Sequence, residues 1–478
     1  MVLSSSLKKR SVSDKPLLVM GLLCLGDLLA IVFSASLTFE LFRRFGVDAN
    51  LLFDPYRRIT PAIFLFPVAY AMYGLYPAYG LGAVEELRRL SITTFFIYLV
   101  LFASTFFFRG GDAVSRVIFL VLVFVNINLV VLTRAAIREL FARKSWWGAS
   151  VLILGGGETA QLLIDRLVKT PNLGLKPLAI LDDDSRKHGQ KITGVEVIGS
   201  IELTHQFVTE GFRWVVVAMP GVHHKRLNEV LRLHTHSFPH VVILPDMFGI
   251  ASLWVSTRDL AGILSLEIRE QLLSNSARIF KRLLDLLIIL LVSPILLPIL
   301  ILIALIIKLD SDGQIFYSQE RMGKDKKTFQ VYKFRSMFDN SEERLQILLN
   351  NDINLKNQYN KYHKLENDPR VTRFGRIIRR LSLDELPQLW NIFLGQMSLV
   401  GPRAYLPREL PKMQNHVDLI LKVTPGLTGI WQVSGRNLLT FDERLELDSY
   451  YARNWSPWFD FYILARTVWV VLSGKGAV

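Results

Sequence analysis

The sequence predicts a membrane protein of three parts: a four-helix transmembrane bundle, a Rossmann-like α/β module, and a mainly α domain anchored by a re-entrant membrane helix. Three observations carry this. Hydrophobic residues make up 51% of 478, and the mean hydropathy of +0.31 is high for a water-soluble chain. Four apolar runs fill residues 1–145, and a strand–glycine–helix pattern opens residues 146–265. Residues 266–478 join one long apolar run to clustered arginines and an acidic pair.

The first four runs lie near 17–42, 59–79, 91–108 and 114–133, each long enough, or nearly so, for a hydrocarbon core of about 30 Å. Basic residues favour the side of the N-terminus, which places that end in the cytoplasm and returns the chain there after four crossings. Asp27 and Glu40 are ionisable groups in or near a span; a helix–helix contact or an interfacial position is the favoured reading of each. The single cysteine, Cys24, excludes an intramolecular disulfide. A net charge of +14 fits anionic headgroups or phosphate-bearing substrates. No zinc-finger, homeodomain or RNA-recognition signature points to nucleic acid.

Val151-Leu152-Ile153-Leu154, then Gly155-Gly156-Gly157-Glu158-Thr159-Ala160, then a helical run, has the G-x-G-x-x-A spacing of a dinucleotide fold. A second strand ends in Asp182-Asp183-Asp184, where a ribose-binding acid would sit. No Tyr-x-x-x-Lys pair accompanies these motifs, so a regulatory or assembly module is favoured over a reductase. Gly157→Ala is expected to disturb folding or assembly more than chemistry.

In the third part, Lys281-Arg282 leads into the apolar run 283–307, which Lys308 closes. Cations at both ends, with Ser293-Pro294 between them, predict a helical hairpin over 281–308 that dips into one leaflet; the alternative is a proline-kinked span. The strand-like run 329–337 presents Lys333 and Arg335 on one face by its period of two. Arg379-Arg380 precede Asp384-Glu385, and Pro387 predicts a helix beginning at Asp384 or Glu385. An ordinary capping box from Ser382 to Glu385 is the competing explanation of that stretch. From Lys361 to Arg403, eight Lys/Arg accompany four Asp/Glu. Glycine-rich segments then end in Arg403 and Arg436. Convergence of these cations on the acidic pair suggests a diphosphate site. The aromatic tail 459–472 reads as an interfacial helix.

Residues 280–478 resemble the bacterial sugar transferase family, the monotopic polyprenol-phosphate phosphoglycosyl transferases. The elements that match are the Ser-Pro membrane helix, Lys333-Phe334-Arg335-Ser336-Met337, Ser382-Leu383-Asp384-Glu385-Leu386-Pro387-Gln388, Gly401-Pro402-Arg403 and Pro425-Gly426-Leu427-Thr428-Gly429. The resemblance implies a catalytic domain that moves hexose-1-phosphate, galactose-1-phosphate first of all, from a UDP-hexose to undecaprenyl phosphate with loss of UMP. UDP-glucose is the alternative donor. It implies Asp384 as nucleophile and Glu385 as its partner, both near Mg²⁺, with Lys333, Arg335, Arg379, Arg380, Arg403 and Arg436 at the substrate. It further implies a bacterial inner-membrane protein, a site on the cytoplasmic face of the bilayer, a homodimer, and a role in O-antigen, capsule or exopolysaccharide synthesis. Rival readings are a membrane-tethered NAD-dependent epimerase or dehydratase and a non-catalytic assembly scaffold.

Overall fold

A computed structural model describes residues 14–45, 60–107, 116–245, 255–260, 263–268, 272, 274–338, 341–351, 368, 370–436 and 439–473. The chain divides into two compact units, Met1–Phe248 and Gly249–Val478.

In the first unit, α1 (Pro16–Arg44), α3 (Ala83–Phe107) and α4 (Arg116–Phe141) are helices long and apolar enough to cross a membrane. The second expected run differs. Its described part is a 3₁₀ turn, Thr60–Phe64, and a short helix, α2 (Leu65–Met72), before the chain turns at Gly74; residues 46–59 lie outside the description. The fourth helix of spanning length belongs to the second unit. A buried charge survives in an apolar bundle only if it is paired and hydrogen-bonded. Arg134 of α4 meets that condition. It donates to both oxygens of Asp27 on α1 at 2.9 and 2.7 Å, to Glu86 at 3.0 Å and to the Leu75 carbonyl. Asp27 is thus a helix–helix contact, and Glu40 pairs with Arg43 and Arg44 at the end of α1.

The bundle continues into a sheet ordered β3-β4-β2-β1-β5-β6. Its strands are β1 (Ala149–Leu154), β2 (Leu175–Leu181), β3 (Lys191–Ile192), β4 (Val195–Gly199), β5 (Trp214–Val217) and β6 (His240–Ile243). All neighbours are parallel except β3 and β4. Contacts such as Arg138 to the Asn172 carbonyl, 2.6 Å, and Gly80 N–H to the Leu173 carbonyl, 2.8 Å, bind the sheet region to the helices. The two parts drawn separately at 145/146 therefore form one unit. The two units divide at 248/249, and β7 (Val255–Leu260) and β8 (Ile263–Ile268) pair with each other and not with the sheet.

The glycine loop connects β1 to a helix, Glu158–Lys169 (α5). Asp182, at the end of β2, accepts from the Gly156 and Asp184 amides at 2.6 and 2.8 Å and from Lys187 at 2.9 Å. Burial alone would raise its pKa, but these bonds more than offset that and hold the carboxyl below the usual range. The acid placed to receive a ribose instead closes its own loop. Gly155 needs to be glycine: its φ is +97°, and a Cβ there would lie 2.9 Å from the Ala218 carbonyl oxygen. Gly157, singled out from the sequence, has extended backbone and open space where a Cβ would go.

The second unit is organised on α6 (Asn275–Asp310), a single helix of 36 residues with Pro294 and Pro298 inside it. The helix runs on through Ser293-Pro294, where the sequence placed the turn of the expected hairpin. The Ser293 hydroxyl donates to the Leu290 carbonyl at 2.9 Å. Near the start of α6, Lys281 pairs with buried Asp460 at 2.6 Å, and Asp285 accepts from the Ser398 hydroxyl and the Leu399 amide. Asp460 lies on the final helix, Pro457–Ser473, and also accepts from Tyr451 and Trp455. Near the end of α6, Ile303 and Ile307 pack with Phe334 and Ile378, and Asp310 accepts from the Phe374 amide. Leu287, Leu290, Leu291, Ile295, Leu297 and Ile301, in between, are exposed.

In the full-length protein, Gly155→Ala should lower stability by about 1–3 kcal/mol, since a non-glycine residue would be strained there, whereas Gly157→Ala should be within about 0.5 kcal/mol of wild type. Thermal unfolding of the two variants checks this; equal losses would contradict it.

Candidate active site

The site is built where three pieces of the second unit meet. β9 (Phe316–Met322) and β10 (Thr328–Phe334) form an antiparallel pair with Arg321 opposite Phe329 and Tyr317 opposite Lys333. Helix α7 (Arg373–Arg380) is capped by the Thr372 hydroxyl and lies against the end of β10. Gly375 permits this approach, because a Cβ there would sit 2.1 Å from the Ser336 carbonyl oxygen. After α7, Ser382 takes a left-handed conformation, φ +55°, and swings the chain into a 3₁₀ turn, Leu383–Glu385. The helix expected to start at Asp384 or Glu385 starts later, as α8 (Gln388–Phe393), and Ser382 makes no capping bond. The buried Asn391 of α8 accepts from the Tyr332 amide and donates to the Gln330 carbonyl, which locks the turn against β10.

This brings Lys333 Nζ to Glu385 Oε1 at 2.6 Å. Arg379 donates from Nε to the Ser336 hydroxyl at 2.7 Å and pulls the Asp384 pKa down through its charge. Burial, and next the adjacent Glu385 carboxylate, push Asp384 up to about 6 against the opposing pull of Lys333 and Arg379. Burial lowers the pKa of Arg379, while the charge of Asp384 raises it. Asp384, Glu385, Lys333 and Arg379 are thus one electrostatic group.

The other predicted residues fall elsewhere. Arg335 follows the last strand residue, so alternation no longer governs it; it is buried, donating to the Ser311 and Asp312 carbonyls and the Ser311 hydroxyl. Its role here is to fasten the chain leaving α6. Arg380 is exposed on α7. Arg436 stands in a left-handed conformation after the helix Ile430–Ser434. Ser293 and Pro294 lie in the exposed middle of α6.

Arg403 belongs to a second cationic group. Its guanidinium lies 5.3 Å from the ring centre of Trp431, and Arg444 lies at the same distance from that ring. Its backbone amide donates to the fully buried Asp448, which also accepts from the Tyr405 hydroxyl and which burial raises to about 7. Arg321 links the two groups. Burial and then Arg403 lower it to about 10, while Glu409 and Glu385 raise it, and it donates to the Ala404 carbonyl. Sequence reasoning passed over Arg321, Arg444 and Asp448. The hairpin register was the available signal for Arg321, since facing residues share a side of the sheet and put Arg321 on the side of Lys333.

Among the described residues no group of three or more His, Cys, Asp or Glu side chains is placed to hold a metal. Magnesium commonly takes only one or two carboxylates, completing its shell with water and substrate phosphate oxygens. The Asp384–Glu385 pair, with one Glu385 oxygen engaged by Lys333, is a donor set that fits that mode and no closed metal cage.

Residues 276–474 match the family described as bacterial sugar transferase, and residues 72–245 match the CoA-binding domain. A UDP-galactose-lipid carrier transferase of Erwinia amylovora is 35% identical over 368 residues, covering 76% of this chain and 76% of that protein. An undecaprenyl-phosphate galactose phosphotransferase of Salmonella typhimurium is 35% identical over 355 residues, 73% of each chain. A UDP-glucose:undecaprenyl-phosphate glucose-1-phosphate transferase of Escherichia coli is 30% identical over 338 residues, 68% of each.

Proposed function

The chain belongs to the bacterial sugar transferase family, and from that premise we propose that it transfers hexose-1-phosphate from a UDP-hexose to undecaprenyl phosphate through a covalent Asp384 intermediate. UDP-galactose is the favoured donor, since two of the relatives named above carry galactose in their names, and UDP-glucose is the alternative. The observation that carries the proposal is a partly buried carboxylate pair faced by Lys333 and Arg379.

In this scheme a carboxylate oxygen of Asp384 attacks the phosphorus that bears the hexose. The bond from that phosphorus to the bridging oxygen breaks, and UMP leaves with the electron pair. A phosphate oxygen of the lipid then attacks the same phosphorus, breaks the acyl–phosphate bond and restores the carboxylate. Dividing the transfer lets two dissimilar substrates visit in turn. A diphosphate repels a carboxylate, so the approach needs positive charge; one well-placed group of this kind is worth roughly 3–4 kcal/mol. Lys333 and Arg379 supply it at the dyad, and Arg321 and Arg403 supply it beside the dyad. Asp384 and Glu385 would hold Mg²⁺ together with the diphosphate, and when bound the ion would neutralise phosphate charge. An NAD-dependent reaction at the glycine loop is disfavoured by the engagement of Asp182 within its own loop.

We also place α6 in one leaflet, with the site on the cytoplasmic face of a bacterial inner membrane. Support comes from its two ends, which pack on one compact domain. From Asp285 to Ile303 a straight helix covers about 27 Å, close to a whole hydrocarbon core. A spanning helix would force that one domain to touch both faces of the bilayer. A helix bent near its prolines, entering and leaving on one side, avoids this. A homodimer remains the expected assembly, and synthesis of a surface polysaccharide the expected role.

UMP release measured with UDP-galactose and UDP-glucose side by side tests the chemistry. Asp384→Asn should lower turnover by roughly three orders of magnitude or more, and Glu385→Gln should also be severely impaired, while both variants keep the wild-type fold by circular dichroism. Normal turnover in Asp384→Asn would sink the proposal.

The pH dependence carries a sign. The folded pKa of Asp384 is raised to about 6, so the attacking carboxylate is present above that value and lost as pH falls through it. For the UDP-hexose, kcat/KM should therefore fall about tenfold per unit below pH 6. Lys333→Met removes a charge that favours the carboxylate and should move this limb upward; an unmoved or lowered limb would contradict the assignment.

For the topology, single cysteines at Arg278 and Asp312 in a Cys24→Ser background should react from the same side with a membrane-impermeant thiol reagent. Labelling from opposite sides would show a span.

A further inference from the structure

At the end of α8 away from the dyad is a cavity that the proposed chemistry does not use. Arg278, Lys281, Arg282 and Asp285 line it from the first turns of α6, joined by Lys324 and Lys422. The spacing of the first four puts them on one helix face. Lys324, in the turn between β9 and β10, is held beside Lys422 because the Asp325 amide donates to the Leu421 carbonyl at 2.6 Å.

The charge in this cavity is out of balance. Five cations face one lining acid. Lys281 is matched by Asp460, and Asp285 can offset one more, so three of the five positive charges lack a carboxylate among the described residues. Arg282 donates to the Ile392 and Phe393 carbonyls and Arg278 to the Leu272 carbonyl at 2.7 Å. Such bonds hold the guanidinium groups in position without neutralising them. Lys324 and Lys422 have no ion pair or side-chain hydrogen bond among the described residues. Held together in a cleft, like charges repel unless an anion enters.

A second observation says what kind of anion. Ile279, Phe280 and Leu283, on the same turns of α6, are 61%, 51% and 61% exposed. They continue directly into the exposed apolar stretch of the helix. These three apolar residues lie on the face of α6 turned away from the cavity, so a ligand there has a cationic cradle at the level along the helix where its exposed apolar stretch begins. We infer that this cavity seats the phosphate headgroup of an anionic membrane lipid and fixes the depth at which α6 enters the bilayer. The inference rests on the membrane placement of α6, and not on the chemistry of Asp384.

The test uses the full-length protein extracted from phosphatidylcholine vesicles with and without phosphatidylglycerol, examined by native mass spectrometry. Wild type should retain one phosphatidylglycerol. The double variant Lys324→Gln/Lys422→Gln should retain roughly tenfold less, with unchanged circular dichroism and unchanged UMP release in pure phosphatidylcholine. Equal retention by wild type and variant would overturn the inference. So would inorganic phosphate binding to the wild type in pure phosphatidylcholine and displacing phosphatidylglycerol from mixed vesicles, which would assign the cavity to a soluble anion. If thiol labelling finds α6 spanning while the lipid is still retained by wild type and lost by the variant, the lipid site stands and only the one-leaflet placement fails. Single variants, Lys324→Gln and Lys422→Gln, should each show an intermediate loss, which keeps the test decisive if the double variant folds poorly.

Discussion

Two adjacent carboxylates in a partly buried turn repel each other, and everything at the site follows from how that repulsion is managed. Burial and Glu385 push the Asp384 carboxyl up to about 6, and Lys333 and Arg379 pull it back. The balance leaves a partly buried, poorly solvated carboxyl, and in the proposed transfer this is the group that attacks phosphorus. Each cation is positioned by a separate structural device. Lys333 comes from a strand locked to α8 by Asn391, and Arg379 from a helix whose Gly375 lets it lie against Ser336. Loosening either device would change the charge balance before it changed any bond to substrate.

The membrane helix and the site are coupled by the same few contacts. Lys281, Arg282 and Asp285 tie the beginning of α6 to the final helix, to the end of α8 and to the strand Ser398–Val400, while Ile303 and Ile307 tie its end to Phe334 and Ile378. Phe334 directly follows Lys333, and Ile378 directly precedes Arg379. The residues that seat the helix are therefore neighbours of those that hold the dyad, so in the proposed one-leaflet placement the depth of the helix in the lipid would set the height of the site above it.

Much of this was legible in the residues because it depends on local chemistry. Lys333 lies inside a strand, where period-two alternation governs its side; Arg335 lies past Phe334, where the strand and the alternation stop. Pro387 marked a helix start nearby, but the left-handed Ser382 inserts a 3₁₀ turn first, and nothing in its side chain announces a positive φ. Arg321 was missed because its place depends on pairing between two strands, a long-range fact that a single-strand pattern does not carry. Hydropathy found the apolar runs. It could not tell that the second becomes a short helix within the described residues, or that Ser293-Pro294 lies inside one unbroken helix. Glycine spacing located the loop between β1 and α5 but not which glycine is indispensable; that is decided by the Ala218 backbone beside Gly155.

The central claim is a covalent bond to Asp384, and intact-protein mass spectrometry tests it most directly. Wild-type protein mixed with UDP-galactose and Mg²⁺, without any lipid phosphate, should gain the mass of one hexose phosphate, release about one equivalent of UMP per chain, and carry the added mass on the peptide containing Asp384. Asp384→Asn should show neither adduct nor UMP. UMP that appears only when undecaprenyl phosphate is present, with no adduct at any time, would contradict the account and leave Asp384 as a metal ligand or base in a direct transfer.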